Sequence, residues 1–200
     1  MKRKKKVAIL ISGKGSNMRA LIEDMKNADH PGEATLIISD KKNAEGIVYA
    51  KQHNLKTRII DQNIGSQSDF ENQLALLIKE NKIDLICLAG FMKILSGKFL
   101  KDFEQIIINI HPSILPLFKG LQTHKRALNS GMALHGATVH EVTSDVDEGR
   151  ILGQAIVPIL SDDTEETLRH RVLQVEHKLY PIVLRRVLAG KTGDPVLLVD

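Results

Sequence analysis

Short apolar runs alternate with stretches of helical period along the first half of the chain. "KVAILIS" (6–12) and "ATLIIS" (34–39) are almost continuously apolar, the pattern of strands buried on both faces. "KTRIID" (56–61), "DLICLAG" (84–90) and "QIIINI" (105–110) predict three more strands. Between them, 17–26, 44–53 and 69–81 place apolar residues three and four apart, which predicts helices, and 96–103 predicts a shorter one. Strands alternating with helices give an α/β fold, a doubly wound, mostly parallel sheet with a Rossmann-like N-terminal half.

After Ile110 the period is lost through "HPSILPLFKG". A helix is predicted over 123–130, and strands over 133–142 and 151–159. The connection between those strands is too short for a helical crossover, so they should pair antiparallel. A long C-terminal helix follows, with Ser161, Asp162, Asp163 or Thr164 as its N-cap and Glu165 and Glu166 in its first turn. Pro181 should kink it or start a second segment. There is no internal repeat or domain break, so 1–200 reads as one domain, with 1–5 as a flexible basic leader.

Composition narrows the class. At 42% hydrophobic and 26% charged residues the chain is that of a soluble globular protein. No apolar run reaches the roughly 20 residues of a membrane span, and no signal peptide is evident. A cytoplasmic location is therefore expected, without a membrane partner. The single cysteine, Cys87, sits in an apolar run and reads as an inert core thiol. The net charge of +4 is misleading. Removing the five basic residues at 2–6 from the total of 28 leaves 23 against 24 acidic ones, and no basic face is interleaved with aromatics, so no nucleic-acid partner is expected.

"LISGKGSN" (10–17) ends the first strand in a glycine loop before a helix. A dinucleotide loop needs a third glycine where Met18 stands, although Asp40 does end the second strand. The nucleoside-triphosphate loop G-x-x-x-x-G-K-[ST] is absent. The remaining readings are a cradle for one phosphate at a helix N-terminus and a plain tight turn capped by Ser16 or Asn17.

"NIHPSILP" (109–116) leaves the carboxyl end of the fifth strand, where open α/β sheets bind ligands. Asn109 and His111 are two apart on an extended backbone and project to the same side. An imidazole beside a carboxamide offers a pair of donors to a developing oxyanion. "HEVTSDVDEGRILGQ" (140–154) supplies Asp145, Asp147 and Glu148 between the antiparallel strands. A carboxylate there can set a histidine's tautomer, or the segment is simply an acidic loop. His135 and His140 nearby raise metal binding, but no H-E-x-x-H or paired cysteines accompany them, so no metal is expected.

These pieces, with "LAGFMKILS" and "VEHKLYP", resemble the phosphoribosylglycinamide formyltransferases of purine synthesis, folate-dependent formyltransferases, over about residues 6 to 190. The resemblance implies transfer of a formyl group from 10-formyltetrahydrofolate, as co-substrate, to the amine of glycinamide ribonucleotide. It implies Asn109, His111 and Asp147 as the catalytic trio. Gly13, Gly15, Ser16 and Asn17 would hold the single phosphate, with Glu176 on the ribonucleotide. The folate would meet Met92, Lys93, Ile94 and Leu95, with Thr143, Ser144, Asp145 and Val146. Gln67 stands where many members have arginine toward the folate's glutamate tail, which implies a weaker contact there or one taken over by Lys93.

A formyltetrahydrofolate hydrolase would be expected to carry an N-terminal regulatory domain, and a methionyl-tRNA formyltransferase a C-terminal RNA-binding one; neither is expected in 200 residues whose first strand starts near residue 6. A sugar-nucleotide formyltransferase would not need this single-phosphate loop. A Rossmann-like binding module explains the glycine loop but leaves Asn109, His111 and Asp147 without a task. The partners expected are small-molecule substrates; the oligomeric state, a homodimer included, stays open.

Overall fold

Strand β1 (Lys5–Ile11) has no polar side chain after Lys6, and Val7 to Ile11 are completely buried. A strand apolar on both faces must lie inside a sheet that is covered on both sides. β1 accordingly pairs in parallel with β2 (Gly32–Ser39) on one edge and with β4 (Leu85–Leu88) on the other. β3 (Thr57–Ile59) extends the sheet beyond β2, also in parallel. The computed structural model describes residues 3–61, 65–103 and 105–199, and the chain divides into two compact units, 1–108 and 109–200.

In the first unit, α1 (Ser16–Met25), α2 (Glu45–Gln52) and α3 (Gln67–Asn81) connect the parallel strands, followed by the short α4 (Gly97–Asp102). Met18, Leu21, Ile22 and Met25 form the buried stripe of α1, and Phe70, Leu74 and Ile78 that of α3. α3 starts two residues earlier than the apolar spacing suggests, because Ser66 and Asp69 form a reciprocal capping box. Gln67 is thereby a helical residue. Within the basic run, residues 1 and 2 lie outside the described residues. Arg3 reaches the Asp84 carboxylate at 2.8 Å, the Lys4 ammonium reaches the Asn27 carbonyl, and Lys5 already belongs to β1.

β5 (Ile106–His111) carries the chain into the second unit. After α5 (Thr123–Asn129), β6 (Leu134–Glu141) and β7 (Ile151–Pro158) pair antiparallel, as their short connection predicts. α6 (Glu165–Leu188) then returns the chain to β8 (Val196–Val199), parallel to β7. The strand order is β3-β2-β1-β4-β5-β6-β7-β8. Thr164 is the N-cap of α6, in a capping box with Thr167. Leu168, Val172, Val175, Leu179, Val183 and Val187 bury one stripe of the helix, each side chain contributing about 1.5–3 kcal/mol. α6 lies close on β7: a Cβ on Gly153 would come within 2.6 Å of Val183.

Two features qualify the expectation. Of the two alternatives at Pro181, a second segment is not found: α6 continues through the proline as one helix. Its neighbours Tyr180, Val183 and Leu184 are fully buried or nearly so, so packing on both sides of the proline holds the helix together despite the missing N–H. β8 was not predicted, because four residues with two exposed side chains carry little apolar signal.

Candidate active site

The first unit gathers its loops at a reversal of strand order. The chain runs from β1 outward to β2 and β3, then returns to β4 on the other edge of β1. The carboxyl ends of β1 and β4 therefore flank a topological switch point, where ligands bind in open α/β sheets. β1 ends in the glycine loop and β4 in "AGFMKIL". Ser12 joins the two. Its N–H donates to the Gly90 carbonyl at 3.1 Å, and its hydroxyl accepts from the Met92 N–H at 2.9 Å.

Gly15 is the N-cap of α1, in left-handed conformation (φ 70°), and no side chain caps the helix. The tight-turn alternative required a cap by Ser16 or Asn17. α1 instead opens on a glycine N-cap. Gly46 at the start of α2 packs directly beneath. Its N–H donates to the Gly13 carbonyl at 3.1 Å, and a Cβ there would lie 3.3 Å from both that oxygen and the Gly15 Cα.

After β4, Met92 and Ile94 are exposed, whereas Leu95 is buried in the core. The Lys93 ammonium lies over the Phe70 ring at 5.0 Å. Gln67 faces inward to this loop: its amide donates to the Ile94 carbonyl at 2.8 Å and to Glu71 at 2.7 Å. Burial acts to raise the Glu71 carboxyl, but hydrogen bonds from Ser96 and Gln67, with Lys93 nearby, outweigh it and hold it below its ordinary value.

The second unit holds the expected trio. Asn109 and His111 lie at the end of β5, and Asp147 in the β6–β7 connection. His111 Nδ1 is 3.3 Å from Asp147 Oδ2, with both side chains less than a tenth exposed. His111 Nε2 donates to the Phe118 carbonyl at 3.0 Å. The Gly120 N–H donates to Asp147 Oδ2 at 2.9 Å. Backbone conformation aims these groups: Phe118 and Asp147 both adopt positive φ, 55° and 56°. An aspartate tolerates this, but at Phe118 it costs about 1–2 kcal/mol, strain of the kind concentrated at functional sites. Gly149 closes the loop, since a Cβ there would collide with the Glu141 carbonyl.

Opposing effects meet at His111. Burial draws the imidazole below its ordinary value, while the Phe118 carbonyl and the Asp147 carboxylate favour the charged form. At Asp147 burial acts to raise the carboxyl, and His140, the Gly120 N–H and His111 together overcome it, keeping it below the usual range. Burial prevails and holds the imidazole below its ordinary value, although the hydrogen-bond geometry suits a charged ring. Both ring nitrogens of His111 face acceptors, and only a doubly protonated ring donates to both. Deeper in the unit, His135 contacts His124 at 3.2 Å and is pushed down to about 4 by burial and by that neighbour.

The formyl transferase family profile matches residues 5–184. The chain belongs to the formyl transferase family. It is 38% identical to the phosphoribosylglycinamide formyltransferase of Haemophilus influenzae, over 94% of this chain and 89% of that protein. The crystal structure of the enzyme of that name from Brucella melitensis superimposes with a TM-score of 0.89 at 46% identity, covering 94% of this chain and 97% of the other. The trifunctional purine biosynthetic protein adenosine-3 of Gallus gallus is 45% identical, over 94% of this chain, which spans only 19% of that protein's length.

In this member of the family the residues expected from sequence fall in both units. Gly13, Gly15, Ser16, Asn17, Gln67 and Met92 to Leu95 lie in the first; Asn109, His111, Thr143 to Asp147 and Glu176 lie in the second. Thr143, Ser144, Asp145 and Val146 are exposed, and Glu176 is buried on α6. Sequence reasoning missed four supporting residues. Ser12 and Gly46 fix the glycine loop. Thr138 accepts from the Leu115 N–H and donates to the Ser113 carbonyl, holding the proline loop, in which the Leu115–Pro116 bond is cis. His140, considered only as a metal ligand, contacts both Asn109 and Asp147. Its alternation with Thr138 along β6 was the available signal.

Proposed function

We propose that this chain transfers the formyl group of 10-formyltetrahydrofolate to the amine of glycinamide ribonucleotide in purine biosynthesis, as a single formyl transferase domain acting on small molecules in the cytoplasm. The observation that carries the reading is His111, fixed between the Phe118 carbonyl and Asp147 in a member of the formyl transferase family. The nitrogen of the neutral amine attacks the formyl carbon, and the carbonyl oxygen becomes an oxyanion. Asn109 donates to it, and His111 stabilises it through the charge of its ring, since the growing negative charge favours the doubly protonated imidazole. The tetrahedral intermediate collapses by breaking the bond between carbon and folate nitrogen. Asp147 holds His111 in place and orients a water that carries the amine's proton to that nitrogen. No enzyme nucleophile is required, because the amine is itself adequate.

The uncapped glycine start of α1 supports the Gly13, Gly15, Ser16 and Asn17 loop as the seat of the single phosphate, with Glu176 on the ribonucleotide. The exposed Met92 and Ile94 support the 92–95 segment as a folate contact, together with residues 143–146. Gln67 spends its amide protons on Ile94 and Glu71, which supports a role in shaping the 92–95 segment, and its carbonyl oxygen remains for the folate tail. The test is a spectrophotometric deformylation assay with and without glycinamide ribonucleotide. Turnover should require the ribonucleotide, and Asn109→Ala and His111→Ala should each lower it by about 10²–10³. Folded variants with most of their turnover would refute the trio. Deformylation without the acceptor would identify a hydrolase, and no deformylation at all a binding module.

A further inference from the structure

His140 lies at the end of β6, buried, and the chemistry above assigns it no task. Its Nδ1 lies 2.8 Å from the Glu141 carbonyl oxygen. A carbonyl only accepts, so Nδ1 must carry the proton. In the neutral ring, Nε2 is then a lone-pair acceptor. Two groups face that nitrogen: the Asn109 carboxamide nitrogen at 3.2 Å and Asp147 Oδ1 at 3.5 Å. Only the first can donate, and it is the nearer.

We propose that His140 is a positioning residue for Asn109. Held as its Nδ1–H tautomer by Glu141, it accepts one amide N–H of Asn109 and so fixes which way the carboxamide points. This rests on the catalytic reading above. An asparagine side chain has two nearly isosteric orientations, and only one presents N–H groups where an oxyanion would form. In the flipped orientation the amide oxygen would meet the Nε2 lone pair, acceptor against acceptor. The tautomer of His140 therefore excludes the unproductive orientation. With one N–H bound by His140, the second remains for the reacting carbonyl. Oδ2 of Asp147 serves His111 and the Gly120 N–H, while Oδ1, 3.5 Å from Nε2 and farther than the Asn109 nitrogen, is the competing acceptor that a protonated Nε2 would bind. A doubly protonated His140 would reverse the pattern, donating to Asp147 and turning the Asn109 oxygen toward itself.

Two measurements test the assignment. In the unaltered protein, ¹⁵N shifts of His140 at the assay pH should report a neutral ring protonated on Nδ1; a doubly protonated ring, or a proton on Nε2, would overturn the proposal. For kinetics, His140→Leu should lower kcat by roughly 10- to 100-fold, the scale of a slightly misplaced catalytic group, with KM little changed. His140→Gln, which can offer an oxygen near the Nε2 position, should recover part of that loss. In an Asn109→Ala background, His140→Leu should cost no more than about twofold further, since the group it positions is gone. Full multiplication of the two losses would mark a merely structural role and overturn the proposal. Absence of formyl transfer in the unaltered protein would instead refute the underlying catalytic reading.

Discussion

Replacing Asp147 by asparagine removes one charge and little else. With its carbonyl oxygen in the Oδ2 position, the introduced carboxamide would still accept from the Gly120 N–H, which sits 2.9 Å away, and its amide nitrogen would face His140. What is lost is the attraction between carboxylate and imidazolium. At 3.3 Å and an effective dielectric constant near 20, that attraction is on the order of 5 kcal/mol before desolvation is counted. Much of it offsets the cost of burying two charges. Without it, burial acts on His111 with less opposition, and the ring's pKa falls further below its ordinary value. The ring is then harder to protonate as the oxyanion forms, and the oxyanion loses that charge beside it. Complete loss of an oxyanion-stabilising group costs about 2.7–4 kcal/mol, or 10²–10³ in rate, so Asp147→Asn should fall by about 10² in kcat at neutral pH. Since the His111 pKa is lowered further in the variant, its charged form grows as pH falls, and the deficit relative to the parent should narrow toward acid. Stability has the opposite dependence. The Asp147 carboxyl is held below its unfolded value, so its contribution is present above about pH 4 and lost as pH falls through the folded value. Urea melts should therefore separate parent from variant at pH 7 and converge in acid. A folded variant with parental kcat at neutral pH would refute the charge argument.

Two further substitutions probe the first unit and α6. Gly46→Ala places a Cβ 3.3 Å from the Gly13 oxygen and the Gly15 Cα and 2.5 Å from Ile11 Cδ1. Overpacking of that kind costs about 1–3 kcal/mol, partly offset by helix propensity. The loop should shift, raising KM for the ribonucleotide about tenfold with a smaller effect on kcat; an unchanged KM would dismiss Gly46 as its support. Asp163 accepts two hydrogen bonds from Arg171, at 2.6 and 2.9 Å, and one each from the Leu160 N–H and the Thr167 hydroxyl. Arg171 leads the effects that hold its carboxyl far below the ordinary range, so its stabilisation should be full above about pH 4 and decline as pH falls toward the folded value. Asp163→Asn should lower the thermal midpoint at pH 7, by roughly 2–4 °C for each kcal/mol lost. The same gap persisting undiminished at the lowest pH where both proteins remain folded would contradict the assignment.

The elements that the sequence made legible are those whose burial is written in consecutive residues. β1, β2 and β4 are apolar on both faces, and such runs have few alternatives to a covered parallel sheet. α1, α3 and α6 carry their buried stripes at helical spacing. β8 escaped because an edge strand of four residues needs only one buried side chain, Val196, and that is no pattern. Pro181 does not end the helix because its local cost is fixed, whereas the packing that overrides it comes from side chains along the whole of α6.

The candidate site divides in the same way. Asn109 and His111 could be paired from sequence because strand geometry alone sets residues two apart on one side. The glycine loop could be read because a strand, a glycine turn and a helix follow one another along the chain. What only the tertiary structure decided depends on atoms far apart in sequence: the Ser12 hydroxyl under Met92, Gly46 beneath Gly13 and Gly15, the Phe118 carbonyl on His111, and His140 between Asn109 and Asp147. Each is a hydrogen bond or close approach between elements, fixed by packing and by a few residues at positive φ. The chain's local pattern determines which elements form and what chemistry they carry, while the orientation of individual donors and acceptors is settled only when those elements meet.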